Sequence, residues 1–116
     1  MAHEFYSNDG GKVKKSDAEK WIAKFNQERE DQEYDTKSVF FGKDVLSEIL
    51  RTPDCTGISF FFAKKYSDYS KKEVLDLVLV PTKLDGTLIW PESTEGKDGP
   101  GQSAYDSGKL CPPYCP

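Results

Sequence analysis

The stretch from Val39 to Phe62, VFFGKDVLSEILRTPDCTGISFFF, holds the densest apolar content of the chain and most constrains its fold. Two periods meet inside it. Phe41, Val45 and Ile49 recur at steps of four, and Leu46 pairs with Leu50 in the same way. That spacing predicts an amphipathic helix of about ten residues, from near Gly42 to Arg51. Thr52-Pro53 ends it, because a residue preceding proline avoids helical dihedrals. After the turn Asp54-Cys55-Thr56-Gly57, residues Ile58, Phe60 and Phe62 alternate with Ser59, Phe61 and Ala63, which is the period of a strand. A helix feeding a strand specifies a core, not a reaction.

The flanks fit around this unit. Ser16-Asp17-Ala18-Glu19 has the form of a capping box, with the serine accepting from the N–H three residues on and Glu19 reaching back. Ala18, Trp21, Ile22 and Phe25 then recur at helical spacing, so the first two turns are expected to dock on the core. The polar run from Asn26 to Glu33 carries the rest of that helix into solvent, where its acidic residues oppose the helix dipole. Residues 1–15, with Gly10-Gly11 and three lysines, bury too little surface to offset their ordering entropy and form a flexible leader.

Downstream, Lys64 to Glu73 reads as a polar hairpin loop and Val74 to Val80 (VLDLVLV) as a second strand in the middle of a sheet. Pro81 removes a ladder donor near its end. Asp85-Gly86 suits a tight hairpin turn, and Thr87 to Trp90 supplies a third strand. The expected fold is therefore α+β: two N-terminal helices packed on a three-stranded antiparallel β-meander over residues 16–91. Its core would be Val45, Leu46, Ile49, Leu50, Phe60 and Phe62. Residues 92–116 form an extended Gly/Pro-rich tail. Its middle is expected to be loose and its end, with Tyr105, Leu110, Cys111, Tyr114 and Cys115, to return to the domain.

Composition narrows the function classes. A chain of 116 residues has room for one modest core. With 36% apolar and 31% charged residues, the ordered part must be smaller than the chain, although a 13% aromatic share offsets this. The net charge of −4 disfavours nucleic acid as the main partner, since phosphate binding needs clustered Lys and Arg. No apolar run approaches the roughly 20 residues needed to span a bilayer. The N-terminus lacks the apolar core of a secretory signal, so a soluble cytoplasmic protein is expected.

Several residues occur in a familiar order: Phe41-Gly42-Lys43-Asp44-Val45-Leu46, Glu48-Ile49-Leu50, Cys55-Thr56-Gly57-Ile58, Leu77-Val78-Leu79-Val80 and Cys111-Pro112-Pro113-Tyr114-Cys115-Pro116. In this the chain resembles a family of small uncharacterised proteins of Bacteroidota-type bacteria. Those have a leading helix, an FG-K/R-D helix, a C/A-x-G-I strand, an LVLVG strand and a CPPYC end. The likeness covers residues 16–90 and the last six. It implies this order of elements and a role for the tail, and it brings no activity. Pro81 departs from it, standing where a glycine is usual, and the loop from Lys64 to Lys72 is longer than typical.

The sharpest chemical feature is Cys111-Pro112-Pro113-Tyr114-Cys115. Its two thiols could close a small disulfide loop, act as a redox pair, or supply two ligands to a soft metal. A comparison with the C-P-Y-C dithiol of glutaredoxin-like proteins fails on spacing and on the lack of a following helix to lower the thiol pKa. Metal binding would need Cys55 or His3, both distant in sequence. The structural reading leads, with Cys55 as a small core residue. Lys64 to Lys72 interleaves bases with Tyr66 and Tyr69, as in single-strand nucleic-acid binding, but Asp68 and the acidic whole favour a solvated loop. Asp44, Glu48 and Asp54 fit a solvated helix side better than an acid–base pair, which needs a cleft. The only histidine, His3, lies in the leader, and no glycine loop has phosphate-binding spacing.

The sequence assigns no reaction and implies no cofactor. It favours a small non-enzymatic binding or accessory protein that docks a protein partner through a sheet edge or the tail, with Tyr105, Leu110, Pro112, Pro113 and Tyr114 as docking residues. The alternative is a thiol-based redox or metal-responsive protein using Cys111 and Cys115.

Overall fold

The structure is a computed structural model that describes residues 3–93 and 101–116. It is α+β, with two helices and antiparallel strands paired two by two. Its centre is a long hairpin, β2 (Cys55–Ser67) and β3 (Lys72–Lys83), in register from Gly57↔Thr82 to Ser67↔Lys72 with a shift between Cys55 and Gly57. In front of it come α1 (Lys15–Gln27), the short strand β1 (Ser38–Phe40) and α2 (Lys43–Leu50). Behind it, β4 (Glu92–Ser93) pairs with β5 (Gly101–Gln102), and β6 (Lys109–Cys111) pairs with β1.

The polar loop expected from Lys64 to Glu73 is mostly strand. Only Asp68–Lys71 turn, with the Lys71 N–H donating to the Ser67 carbonyl and Lys71 itself at φ 58°. Period-two alternation outlasts the apolar residues here, because cross-strand pairing continues wherever one face is covered.

The third strand of the expected meander is reduced to a single bridge, Thr82↔Leu88. The Ile89 N–H donates to the Pro81 carbonyl at 2.8 Å, but proline has no N–H to return, so the ladder stops. Further along the same edge, Leu79 exchanges both backbone hydrogen bonds with Tyr105 (2.8 and 3.0 Å). The tail therefore takes the edge that the meander would have used.

Helix α2 lies close to its expected bounds and buries Ile49 completely against the hairpin. The Cys55 thiol approaches the Ile49 and Leu50 carbonyls at 3.7 Å, at the helix C-terminus. The core, however, is not the one expected. Of the six proposed residues only Ile49 is buried. Leu46 is half-buried, and Val45, Leu50, Phe60 and Phe62 are exposed. Val74, Leu79, Val80 and Cys111 take their place, because β3 has cover on both edges while β2 is an outer strand. Full burial of Leu79 and Val80 contributes roughly 1.5–3 kcal/mol each.

Helix α1 forms where expected but buries none of its residues. Lys14, not Ser16, stands at its N-cap, without a side-chain capping bond, and Trp21 and Ile22 are 59% and 58% exposed. It also stops at Gln27, before the acidic run that would oppose its dipole. Asp31 then shapes a turn, its Oδ1 accepting from the N–H groups of Glu33 and Tyr34.

The leader has no regular structure before Lys15, yet it is held at Phe5. The Phe5 N–H donates to the Leu84 carbonyl, and its ring covers Gly86, whose φ of +89° makes the Asp85-Gly86 turn. The looseness expected in the middle of the tail falls on residues 94–100, outside the described residues. The end of the tail does return to the domain, through β6. Among the described residues, no helix is long and apolar enough to cross a membrane.

Candidate functional site

Two features distant in sequence meet in space. The CPPYC end and the tip of the β2–β3 hairpin form the two walls of a groove of about 320 Å³. Leu110, Pro112, Pro113 and Tyr114 make one wall, with Ser107 and Gly108 leading into it. Lys65 to Tyr69 make the other, and Asp76 is also part of the lining.

The CPPYC wall is fixed from below. β6 pairs Leu110 with Val39 and Cys111 with Ser38, and the Lys37 N–H donates to the Cys111 carbonyl at 2.7 Å. Gly108 fits because a Cβ there would lie 2.6 Å from Val39 Cγ1 and 2.9 Å from the Phe40 carbonyl oxygen. A disulfide joins Cys111, which is buried, to Cys115, which is exposed. The loop between them turns back on itself, the Tyr114 N–H donating to the Leu110 carbonyl. Tyr114 stays 57% exposed, with Lys109 Nζ 4.3 Å from its ring centroid.

The opposite wall follows from the strand pleat. Ala63, Lys65 and Ser67 share a face with their partners Asp76, Val74 and Lys72, while Tyr66 belongs to the other face. Tyr69, in the turn, is half exposed and packs against Tyr34 with the rings tilted by 51° and their centroids 5.6 Å apart. Lys65 Nζ pairs with Asp106 at 2.9 Å. This hydrogen bond raises the lysine pKa above its ordinary value and lowers that of Asp106. Both side chains are nearly half exposed, so the pair orients more than it stabilises.

Asp76 is the unusual member. It is only 4% exposed, and one carboxylate oxygen accepts the Leu77 N–H at 2.7 Å. Among the described residues no cation lies within ion-pair distance of it. Small Ala63 stands directly opposite it in the register.

Of the docking residues expected from sequence, Leu110, Pro112, Pro113 and Tyr114 come together in the groove, and Cys111 and Cys115 brace it from behind. Tyr105 does not join them. It lies across Leu79, and burial, then the nearby Glu48 charge, raises its phenol pKa. Cys55 belongs to the end of α2. Among the described residues, no three His, Cys, Asp or Glu side chains are grouped to hold a metal. The sequence reading weighed Tyr69 only as part of a nucleic-acid-like loop and set it aside, and it missed Asp76. The signal for Asp76 was present: a lone acid interrupts the apolar run VLDLVLV. Comparison of the chain with protein-family models, curated proteins and solved structures found no match.

Proposed function

We propose that this chain is a small non-enzymatic binding protein that docks a protein partner in the groove between its CPPYC end and its hairpin tip. The observation that carries this reading is the pair of exposed tyrosines, Tyr69 and Tyr114, on opposite walls that are each held by the fold. Tyrosine presents a large amphipathic surface at low entropic cost, which is why it is enriched at the centres of interfaces. The walls are preformed, so a partner need not offset the cost of ordering them.

Deleting the tail is not a clean test, because it would also remove β6, the Tyr105 pairing and buried Cys111. A photo-cross-linking residue placed at Tyr69 or Tyr114 of the full chain, in its native cells, leaves the fold intact. The expected result is one discrete protein adduct shared by the two positions and absent from a control at Glu19 on α1. Adducts at Glu19 alone, or none at the groove, would overturn the reading.

The thiol-based alternative has one support, the exposure of Cys115 at one end of the disulfide, since access is one condition for thiol–disulfide exchange.

A further inference from the structure

The charge inventory of the groove does not close. Among the described residues Lys65 is the only cation in its lining, with Lys109 beside it at the Tyr114 ring, and Lys65 is already bonded to Asp106. The Asp76 charge also acts on this ammonium and helps to raise its pKa. Asp68, in the turn beside Tyr69, adds a further negative charge. A carboxylate as buried as Asp76 is costly unless a charge or a set of hydrogen bonds compensates it, and the Leu77 N–H supplies a single bond. Asp76 is part of the groove lining, so a cation entering from the groove would meet this carboxylate.

Its shape can be narrowed too. Tyr69 and Tyr114 line the groove on opposite walls, with Lys109 Nζ 4.3 Å from the Tyr114 ring centroid, and Pro112 and Pro113 keep the intervening wall stiff. A planar guanidinium stacks on aromatic faces and donates in a fork to a carboxylate. An ammonium is more strongly hydrated and gains less from such surroundings. We infer that the groove takes an arginine side chain from the partner's docking segment, its guanidinium bound by Asp76 between Tyr69 and Tyr114. This rests on the docking reading above and adds the chemistry of the bound residue.

The probe is a fluorescein-labelled Gly-Ser-Arg-Ser-Gly peptide, titrated into the full chain by anisotropy and mapped by amide chemical shifts. Its citrulline counterpart has the same shape without the charge. The expected result is shifts centred on residues 67–70, 76 and 114, with binding about thirtyfold weaker or more for citrulline and for Asp76→Asn, as for loss of one partner of a buried charge pair. Tyr69→Ser changes an exposed side chain and is expected to weaken binding about threefold or more, within the range of one cation–π contact. Equal affinity for the two peptides overturns the inference, whatever the fate of Asp76→Asn. So does tighter binding of spermidine than of the peptide, which would make the site one for polyamines. If Tyr69 cross-links a partner while citrulline binds as well as arginine, the docking reading stands and the arginine assignment falls.

Discussion

The two ends of this chain reverse what their local sequences suggest. Helix α1 carries clear helical periodicity, yet it buries no residue. The C-terminal segment is rich in glycine and proline and has little regular structure, yet residues 103–111 are held by the Leu79–Tyr105 pairing, the β1–β6 ladder and buried Cys111. The difference lies in what each end offers its neighbour. The tail presents free backbone groups to strand edges that need partners, and such pairing is nearly obligatory for buried backbone. The helix has already satisfied its own backbone, so it can attach only through side chains.

The largest effect is therefore expected in the tail. Gly108→Ala places a methyl group against Val39, Phe41 and the Phe40 carbonyl, all under 3.0 Å from the new carbon. A backbone oxygen cannot yield as a flexible side chain can, so β6 must move away from β1. The expected cost is about 1–3 kcal/mol, read as a lower denaturant midpoint at unchanged slope. Exchange protection at Lys37 and Leu110 should be lost first. A variant as stable as its parent would mean that the tail is not held against β1.

A smaller effect is expected where the segment after α1 is tethered to the hairpin. Lys72 Nζ lies 3.0 Å from Asp31 and 2.8 Å from Asp35, and the Ser70 hydroxyl donates to the Tyr34 carbonyl. Hydrogen bonds from Lys72 hold both carboxyls below their ordinary value of 3.8. Their contribution to stability is thus present above that value and is lost as pH falls through the depressed folded values. Lys72 is raised above 10.5, so its part is complete below that value and is lost as pH rises through the folded one. The tether operates between those limits. Because all three side chains are partly exposed, salt should weaken it. In Lys72→Met, carboxyl NMR titration midpoints of Asp31 and Asp35 should move up toward the ordinary value. Midpoints unchanged from the parent would show that the tether does not form in solution.

The same contrast explains what could be read in advance. Helix α2, the hairpin and the Asp85-Gly86 turn follow from local rules: apolar residues at steps of four, alternation, and a glycine at positive φ. Which faces are covered does not follow from them. Phe60 and Phe62 have perfect strand periodicity and still lie 51% and 80% exposed, because burial depends on which edge the tail occupies, across more than forty residues of sequence. The groove was half legible for the same reason. CPPYC announces itself, whereas Asp76 gains its meaning only when register sets it opposite Ala63.

The smallest effect is expected at Trp21, and it tests the comparison most severely. A buried tryptophan cut to alanine costs about 3–5 kcal/mol, whereas a surface change usually stays within about 0.5 kcal/mol. With Trp21 59% exposed on a helix that buries nothing, Trp21→Ala should fall in the second class, with α1 helicity nearly unchanged. The competing arrangement has α1 closing over Phe62, which already lines a shallow hollow together with Phe25, Val39 and Leu77. Closure would take Trp21 and Phe62 out of water together, and Trp21→Ala would then cost several times more and lower the melting temperature. Running the melt at two protein concentrations separates closure within one chain from pairing between two, since only the latter depends on concentration. A loss near 0.5 kcal/mol or less, independent of concentration, is the expected result and leaves α1 as a helix attached mainly by its trailing turn.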